Sequence, residues 1–252
     1  MCDALHIFLH YTGRWDEWLS LSQEAEAKAL TVGDRDKAGW RVYQTGWVHY
    51  LQGKADAVLD CAERCTGHWR EAGATERAYA IRLRGLGYRL RKEYPAAIAA
   101  YQEALKLRRS LAPESADVAS GLNDLAGAKL RSGDLDGAEA DYREALRIAR
   151  KVGYRDGIAT YAGNLAEVYL DRRDWPAAEK HANEALELAK ALGRLELIAG
   201  DYHILANALL NQQRAAEALP HAREAVAIFT RLRHIDLAEA RATLAKCEAA
   251  EL

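Results

Sequence analysis

Gly133-Asp-Leu135-Asp-Gly-Ala138-Glu-Ala-Asp-Tyr142-Arg-Glu-Ala145-Leu146 has counterparts along the whole chain. Leu135 is an apolar anchor, with Ala138 three residues on and Ala145 ten on. The same frame recurs at Trp15, Ala55, Tyr94, Trp175 and Ala215, so successive anchors are 40, 39, 41, 40 and 40 residues apart. Nine residues before each anchor from the second onward stands a small residue: Gly46, Gly85, Ala126, Ala166 and Ala206. Ten after stands another: Ala25, Cys65, Ala104, Ala145, Ala185 and Ala225. Self-similarity at a fixed period of this length marks a repeat architecture, in which each unit buries its apolar face only by stacking on its neighbours.

The offsets have physical reasons. Helix backbones approach closely only where side chains are small. The position nine before the anchor therefore belongs to one helix, A, and the position ten after to a second, B, where the two touch. Eighteen residues after four anchors stand Gly33, Gly73, Gly153 and Gly193. They read as residues that end helix B in the left-handed conformation, which glycine accepts without a Cβ clash. Pro95 and Pro176 suit the first turn of helix B, where no intrahelical N–H bond is lost. Pro220 lies deeper and is expected to kink or delay the last helix B. This gives one domain over 1–252, with repeats at about 1–33, 34–73, 74–113, 114–153, 154–193 and 194–233 and a capping segment at 234–252.

Composition agrees with an all-α chain. Half of the 252 residues are apolar, but Phe occurs twice, Met once and Pro four times. Much of the apolar share is alanine, the best helix former, and no run of alternating β-branched residues appears. Lys and Arg number 35 against 37 Asp and Glu. A sequence-independent nucleic-acid binder needs a basic excess, so nucleic acid is not expected as a partner. No apolar stretch reaches the roughly 18 residues of a bilayer span, so no membrane partner is expected. The N-terminus lacks the charged and small-residue features of a signal peptide. Cys2, Cys61, Cys65 and Cys247 form no disulfide framework. These features together predict a cytoplasmic protein.

Small residues nine before, three after and ten after an apolar anchor resemble the tetratricopeptide repeat. Tyr101-Gln-Glu-Ala104-Leu and Tyr142-Arg-Glu-Ala145-Leu are similar to its second helix. The unit here is longer than that family's basic 34 residues, which implies longer helices. Val32-Gly-Asp-Arg-Asp-Lys-Ala38 and Val152-Gly-Tyr-Arg-Asp-Gly-Ile-Ala159 carry a narrower likeness, to the long-repeat sensor arrays at the C-terminus of bacterial STAND (NB-ARC-type) ATPases. The resemblance implies a right-handed α-solenoid whose A helices line a concave face. It also implies an N-terminal ATPase domain of the same parent as a further partner. The first helix A, about Met1 to Tyr11, reads as half a helix of a longer array, and about Asp236–Ala249 as a solubilising cap.

No residue set carries catalysis. There is no Gly-x-x-x-x-Gly-Lys-Ser/Thr, Gly-x-Ser-x-Gly or His-Glu-x-x-His, and no Cys-x-x-Cys. His6 and His10, with Asp3 nearby, have a spacing that can hold a metal, but no ligand from another element is recognisable. Cys61, Cys65 and His68 share a face, and Cys65 fills a small-residue position, so packing explains it. His181 and His221 are equivalent in neighbouring repeats and read either as a histidine ladder or as coincidence on a solvated face. No catalytic residue, metal or cofactor is assigned.

The chemistry is expected in the groove. Positions fifteen, twelve, eight and five before the anchor give Trp40, Tyr43, Trp47 and Tyr50, then Tyr79, Arg82, Leu86 and Arg89. The next three repeats give Ser120, Asn123, Gly127 and Leu130; Thr160, Gly163, Glu167 and Leu170; and Gly200, His203, Asn207 and Leu210. Aromatics and arginines dominate interface hot spots, and Arg82 and Arg89, seven apart, share a face. The expected partner is a protein or peptide held by Trp40, Tyr43, Trp47, Tyr50, Tyr79, Arg82, Arg89, Asn123, Glu167, His203 and Asn207. The alternative for the aromatics is packing between helices A and B. The alternatives for the whole are a stand-alone peptide-pheromone receptor and a self-associating scaffold.

Overall fold

The computed structural model describes residues 15–232, 234 and 236–250. The half-helix read at Met1–Tyr11, with His6 and His10, lies outside them. All regular structure among the described residues is helical: α1 (Trp15–Thr31), α2 (Arg35–Leu51), α3 (Ala55–His68), α4 (Ala74–Leu90), α5 (Tyr94–Leu111), α6 (Ala116–Ser132), α7 (Leu135–Val152), α8 (Arg155–Asp171), α9 (Trp175–Leu192), α10 (Leu195–Asn211), α11 (Ala215–Leu232) and α12 (Leu237–Ala249). Each of the six anchors is the first residue of a B helix. None of the described helices is long and apolar enough to cross a membrane.

Local chemistry sets these boundaries. The side chains of Asp34, Ser115, Asp134 and Asp174 accept from the backbone N–H three residues on, satisfying a donor that the first turn leaves orphaned. Gly33, Gly153 and Gly193 end B helices at φ of 74°, 71° and 68°. Gly73 departs from that expectation. It lies at φ −64°, ψ 176° and precedes α4, because α3 stops at His68 and Trp69 turns inward at its end, only 1 % exposed. The turn from A to B also uses a left-handed residue, two before the anchor: Gly53 and Gly133, but Lys92, Arg173 and Gln213 in the other three. α11 starts at Ala215 and continues through Pro220 to Leu232, so the proline does not delay it.

Contacts divide the chain into two compact units, Met1–Pro113 and Glu114–Leu252. In the first, each helix from α1 to α5 packs on the next, and the A helices α2 and α4 also touch. In the second, consecutive helices from α6 to α12 pack likewise, and α6, α8, α10 and α12 touch in succession. A helices thus form one layer of each unit and B helices the other.

The small residues do what their spacing required. A Cβ at Gly46 would meet Leu83 at 2.6 Å and Cys61 at 3.0 Å, and one at Gly85 would meet the Tyr101 ring at 2.6 Å. Ala126, Ala166 and Ala206 are wholly buried. Cys61 and Cys65 are packing residues. Burial pushes the Cys61 thiol up to about 11 and that of Cys65 higher still, and Cys65 Sγ donates to Gly39 O. His68 sits 3.7 Å from Glu26, which Arg64 also holds. His181 and His221 are half-buried and stack on Tyr169 and Tyr202 at 5.0 and 5.6 Å.

Candidate functional site

In the first unit, Trp40, Tyr43, Trp47 and Tyr50 fall on one stripe of α2, and all four are half-buried. Trp40 packs edge-on against Tyr79 at 5.0 Å and against Trp69 at 5.1 Å. Tyr43 meets Tyr79 at 5.2 Å. The α4 arginines lie across the rest. Arg82 Nη1 donates to Tyr43 Oη at 2.8 Å, and its guanidinium sits 5.3 Å over the Trp47 ring. Arg89 sits 5.3 Å over Tyr50, and Arg108 from α5 the same distance over Tyr79. Each contact places a cation on the electron-rich face of a ring. The stripe is therefore a ladder of aromatic and arginine side chains between adjacent A helices, with Trp40 reaching the buried Trp69. Leu86 and Leu130, read as groove positions, are buried at 1 % and 5 % exposure.

In the second unit, a cavity of about 380 Å³ opens among α6, α8, α10 and the start of α12. The sequence-derived positions Thr160, Gly163, Glu167, Leu170, Gly200, His203 and Asn207 line it. Asn123 is not in its wall: it accepts from Asn164 Nδ2 at 2.8 Å. Ser120 and Tyr161 hydroxyls pair at 3.3 Å. Glu167 accepts from Arg131 at 2.8 Å, and burial raises its carboxyl above the usual range.

His203, Asn207 and Thr243 form one network. Thr243 Oγ1 donates to Asn207 Oδ1 at 3.3 Å, and His203 Nε2 lies 3.1 Å from Thr243 Oγ1. With the hydroxyl proton given to Asn207, Nε2–H is the donor. Burial lowers the His203 pKa, which keeps the ring neutral. The network fixes α12 against α10.

Asp201 is the residue that sequence reasoning missed. It lines the cavity at 4 % exposure, and its Oδ2 has no hydrogen-bond partner. Burial pushes its carboxyl up to about 8. A side chain at Gly163 would obstruct it, since a Cβ there would stand 2.7 Å from Asp201 Oδ1. The available signal was an acidic residue one place from the groove position Gly200, facing a glycine in the preceding repeat.

Tetratricopeptide-repeat family models match residues 76–150, 117–191 and 202–232, together more than half of the chain. No curated protein matches it. Among solved structures, BtubC (BKLC) from P. vanneervenii is similar at 24 % identity, with a TM-score of 0.63 over 78 % of this chain and 81 % of that one. The apo form of RapI is similar at 17 % identity and a TM-score of 0.69, over 96 % and 71 % of the two chains. A Rap protein complexed with competence and sporulation factor is similar at 14 % identity and a TM-score of 0.71, over 97 % and 73 %. These likenesses show a shared fold of stacked helix pairs, and with the repeat matches they establish that this chain belongs to the tetratricopeptide-repeat family.

Proposed function

We propose that this chain is a protein- or peptide-binding repeat module that holds its ligand along the A helices. The observation that carries this reading is the cavity of the second unit. Its wall is built from successive A helices and offers Glu167, His203 and Asn207 together with a buried carboxyl. A few convergent polar groups in a concave wall are what a ligand site requires. In the first unit Trp40, Tyr43, Trp47, Tyr50, Tyr79, Arg82 and Arg89 offer half-exposed rings and cations, the side chains on which interface energy concentrates.

A peptide-display selection on the purified chain tests this. Selected peptides should lose affinity at least tenfold, roughly 1.4 kcal/mol, for Tyr43→Ala with Arg82→Glu or for Glu167→Lys, with helicity and melting retained. Peptides that bind both folded variants as well as the original chain would sink the assignment.

Two finer readings follow. The module serves as the ligand-sensing array of a larger bacterial STAND-type signalling protein, beside an ATPase domain of the same parent. The support is the likeness of the segments at Val32–Ala38 and Val152–Ala159. A P-loop ATPase encoded in frame upstream of Met1 is the expected finding, and its absence from the gene refutes this reading. The second is a stand-alone peptide receptor, favoured by the fold shared with the Rap protein complexed with competence and sporulation factor. A gene that encodes the repeats alone supports it.

A further inference from the structure

The second-unit cavity has a specific chemical deficit. Glu167, Asp171, Glu196, Asp201, Asp236 and Glu239 line it, against Arg131 and the neutral His203 among the described residues. Arg131 pairs with Glu167, Arg194 with Glu196 at 2.6 Å, and His234 lies 3.5 Å from Asp236. Asp171 shares the field of Arg131, and Glu239 that of His203. Asp201 is the deepest of the six and is left with an orphaned buried oxygen. A buried polar atom without a partner costs about 1–3 kcal/mol. Buried carboxylates are found paired with cations or hydrogen-bond donors. The glycine at 163 leaves the space beside Asp201 Oδ1 clear of any side chain of its own.

We propose that this cavity receives a cationic group of a peptide, an ammonium or a guanidinium, seated against the Asp201 carboxylate and surrounded by the acidic wall. This rests on the peptide-binding reading and names the chemistry that the second unit selects. In the free chain burial holds a proton on this carboxyl. The arriving cation displaces that proton to solvent and supplies both the missing donor and the opposite charge, a charge-assisted contact stronger than a neutral one. The surrounding carboxylates favour cations and repel acidic ligands. The Thr243 network holds α12, which carries Glu239, beside the site.

The test is an NMR titration of the full chain with three probes. They are acetyl-Ala-Ala-Arg-Ala-Ala-amide, the same peptide with citrulline for arginine, and unacetylated penta-alanine amide, whose only cation is its terminal ammonium. The arginine peptide should shift amides of α8, α10 and α12 and bind about tenfold tighter than the citrulline peptide. Asp201→Asn, which keeps the shape and removes the group that ionises against the cation, should erase that preference. Gly163→Ala, which crowds Oδ1, should weaken the arginine peptide in the same way.

Equally tight binding by the alanine peptide assigns the site to an N-terminal ammonium, and tighter binding by the arginine peptide to a side-chain guanidinium. Both support the proposal. Binding in the cavity with no preference over citrulline, or a preference that survives in folded Asp201→Asn, overturns it. In that event the peptide-binding reading stands. If display-selected peptides also give no shifts along the A helices of either unit, both fall.

Discussion

Lys92, Arg173 and Gln213 each stand at a φ near +60° at the turn from helix A to helix B, where Gly53 and Gly133 serve the other repeats. A side chain in that conformation costs roughly 1–2 kcal/mol. Lys92→Gly should therefore raise stability by about 0.5–1 kcal/mol, part of the relief being offset by the looser unfolded chain. Gly133→Ala should lower it by a similar amount. Urea titration of the two variants checks both signs, and a destabilised Lys92→Gly would contradict the strain. Glycines eighteen after the anchor announced three of the left-handed positions, but Lys, Arg and Gln carry no such signal. Asp201 was equally silent, because its meaning depends on depth and on the bare Gly163 opposite. Its carboxyl is pushed from 3.8 to about 8. Between those values the folded chain keeps a proton that the unfolded chain releases. Stability therefore falls as pH rises through that window, by at most about 1.4 kcal/mol per pH unit from this group. Asp201→Asn removes the term, so its melting temperature should gain on that of the original chain from pH 4.5 to 8. A constant difference across that range would show that Asp201 does not titrate there.

Helix–helix contact was the most legible part of the fold. The anchors coincide with the first residues of the B helices because capping acids, prolines and small contact residues all point to the same boundary. The groove was only partly legible. The spacing that put Glu167, His203 and Asn207 into one cavity wall also put Leu86 and Leu130 on that stripe, and they are buried. A register error of one residue turns a helix by about 100°, so position alone does not separate groove from seam. The same reasoning separates two glycines within A helices. Gly85 faces the Tyr101 ring, and Gly200 has nothing within 4 Å of its Cβ position. Gly85→Ala should cost about 1–3 kcal/mol by overpacking. Gly200→Ala should add about 0.5–1 kcal/mol by helix propensity alone. Thermal melts of the pair test whether the A–B contact or propensity governs each site, and equal shifts would refute the distinction.

Within Glu114–Leu252, stability is a sum of neighbour contacts, as in any stacked array. α8 packs on α6, α7, α9 and α10, whereas among the described residues α12 packs mainly on α10 and α11. Amide exchange should therefore be slowest in α8 and fastest in α12, the last described helix. Under the proposed function, the cavity couples this gradient to ligand binding. α12 contributes Glu239 to the wall and is tied to α10 by the contacts of Thr243 with His203 and Asn207. A ligand that needs that wall binds only when α12 is docked, so it must oppose the opening of α12. At a hundredfold excess over Kd the protection is worth about 2.7 kcal/mol, which slows exchange through that opening roughly a hundredfold. Exchange measured by mass spectrometry with and without a display-selected peptide reads this directly. Slowing in α12 together with α8 and α10 is expected, and Thr243→Val should reduce the α12 share while leaving α8 unchanged. Protection confined to α8 and α10 would mean that the ligand ignores α12, and that this helix caps the stack without taking part in recognition.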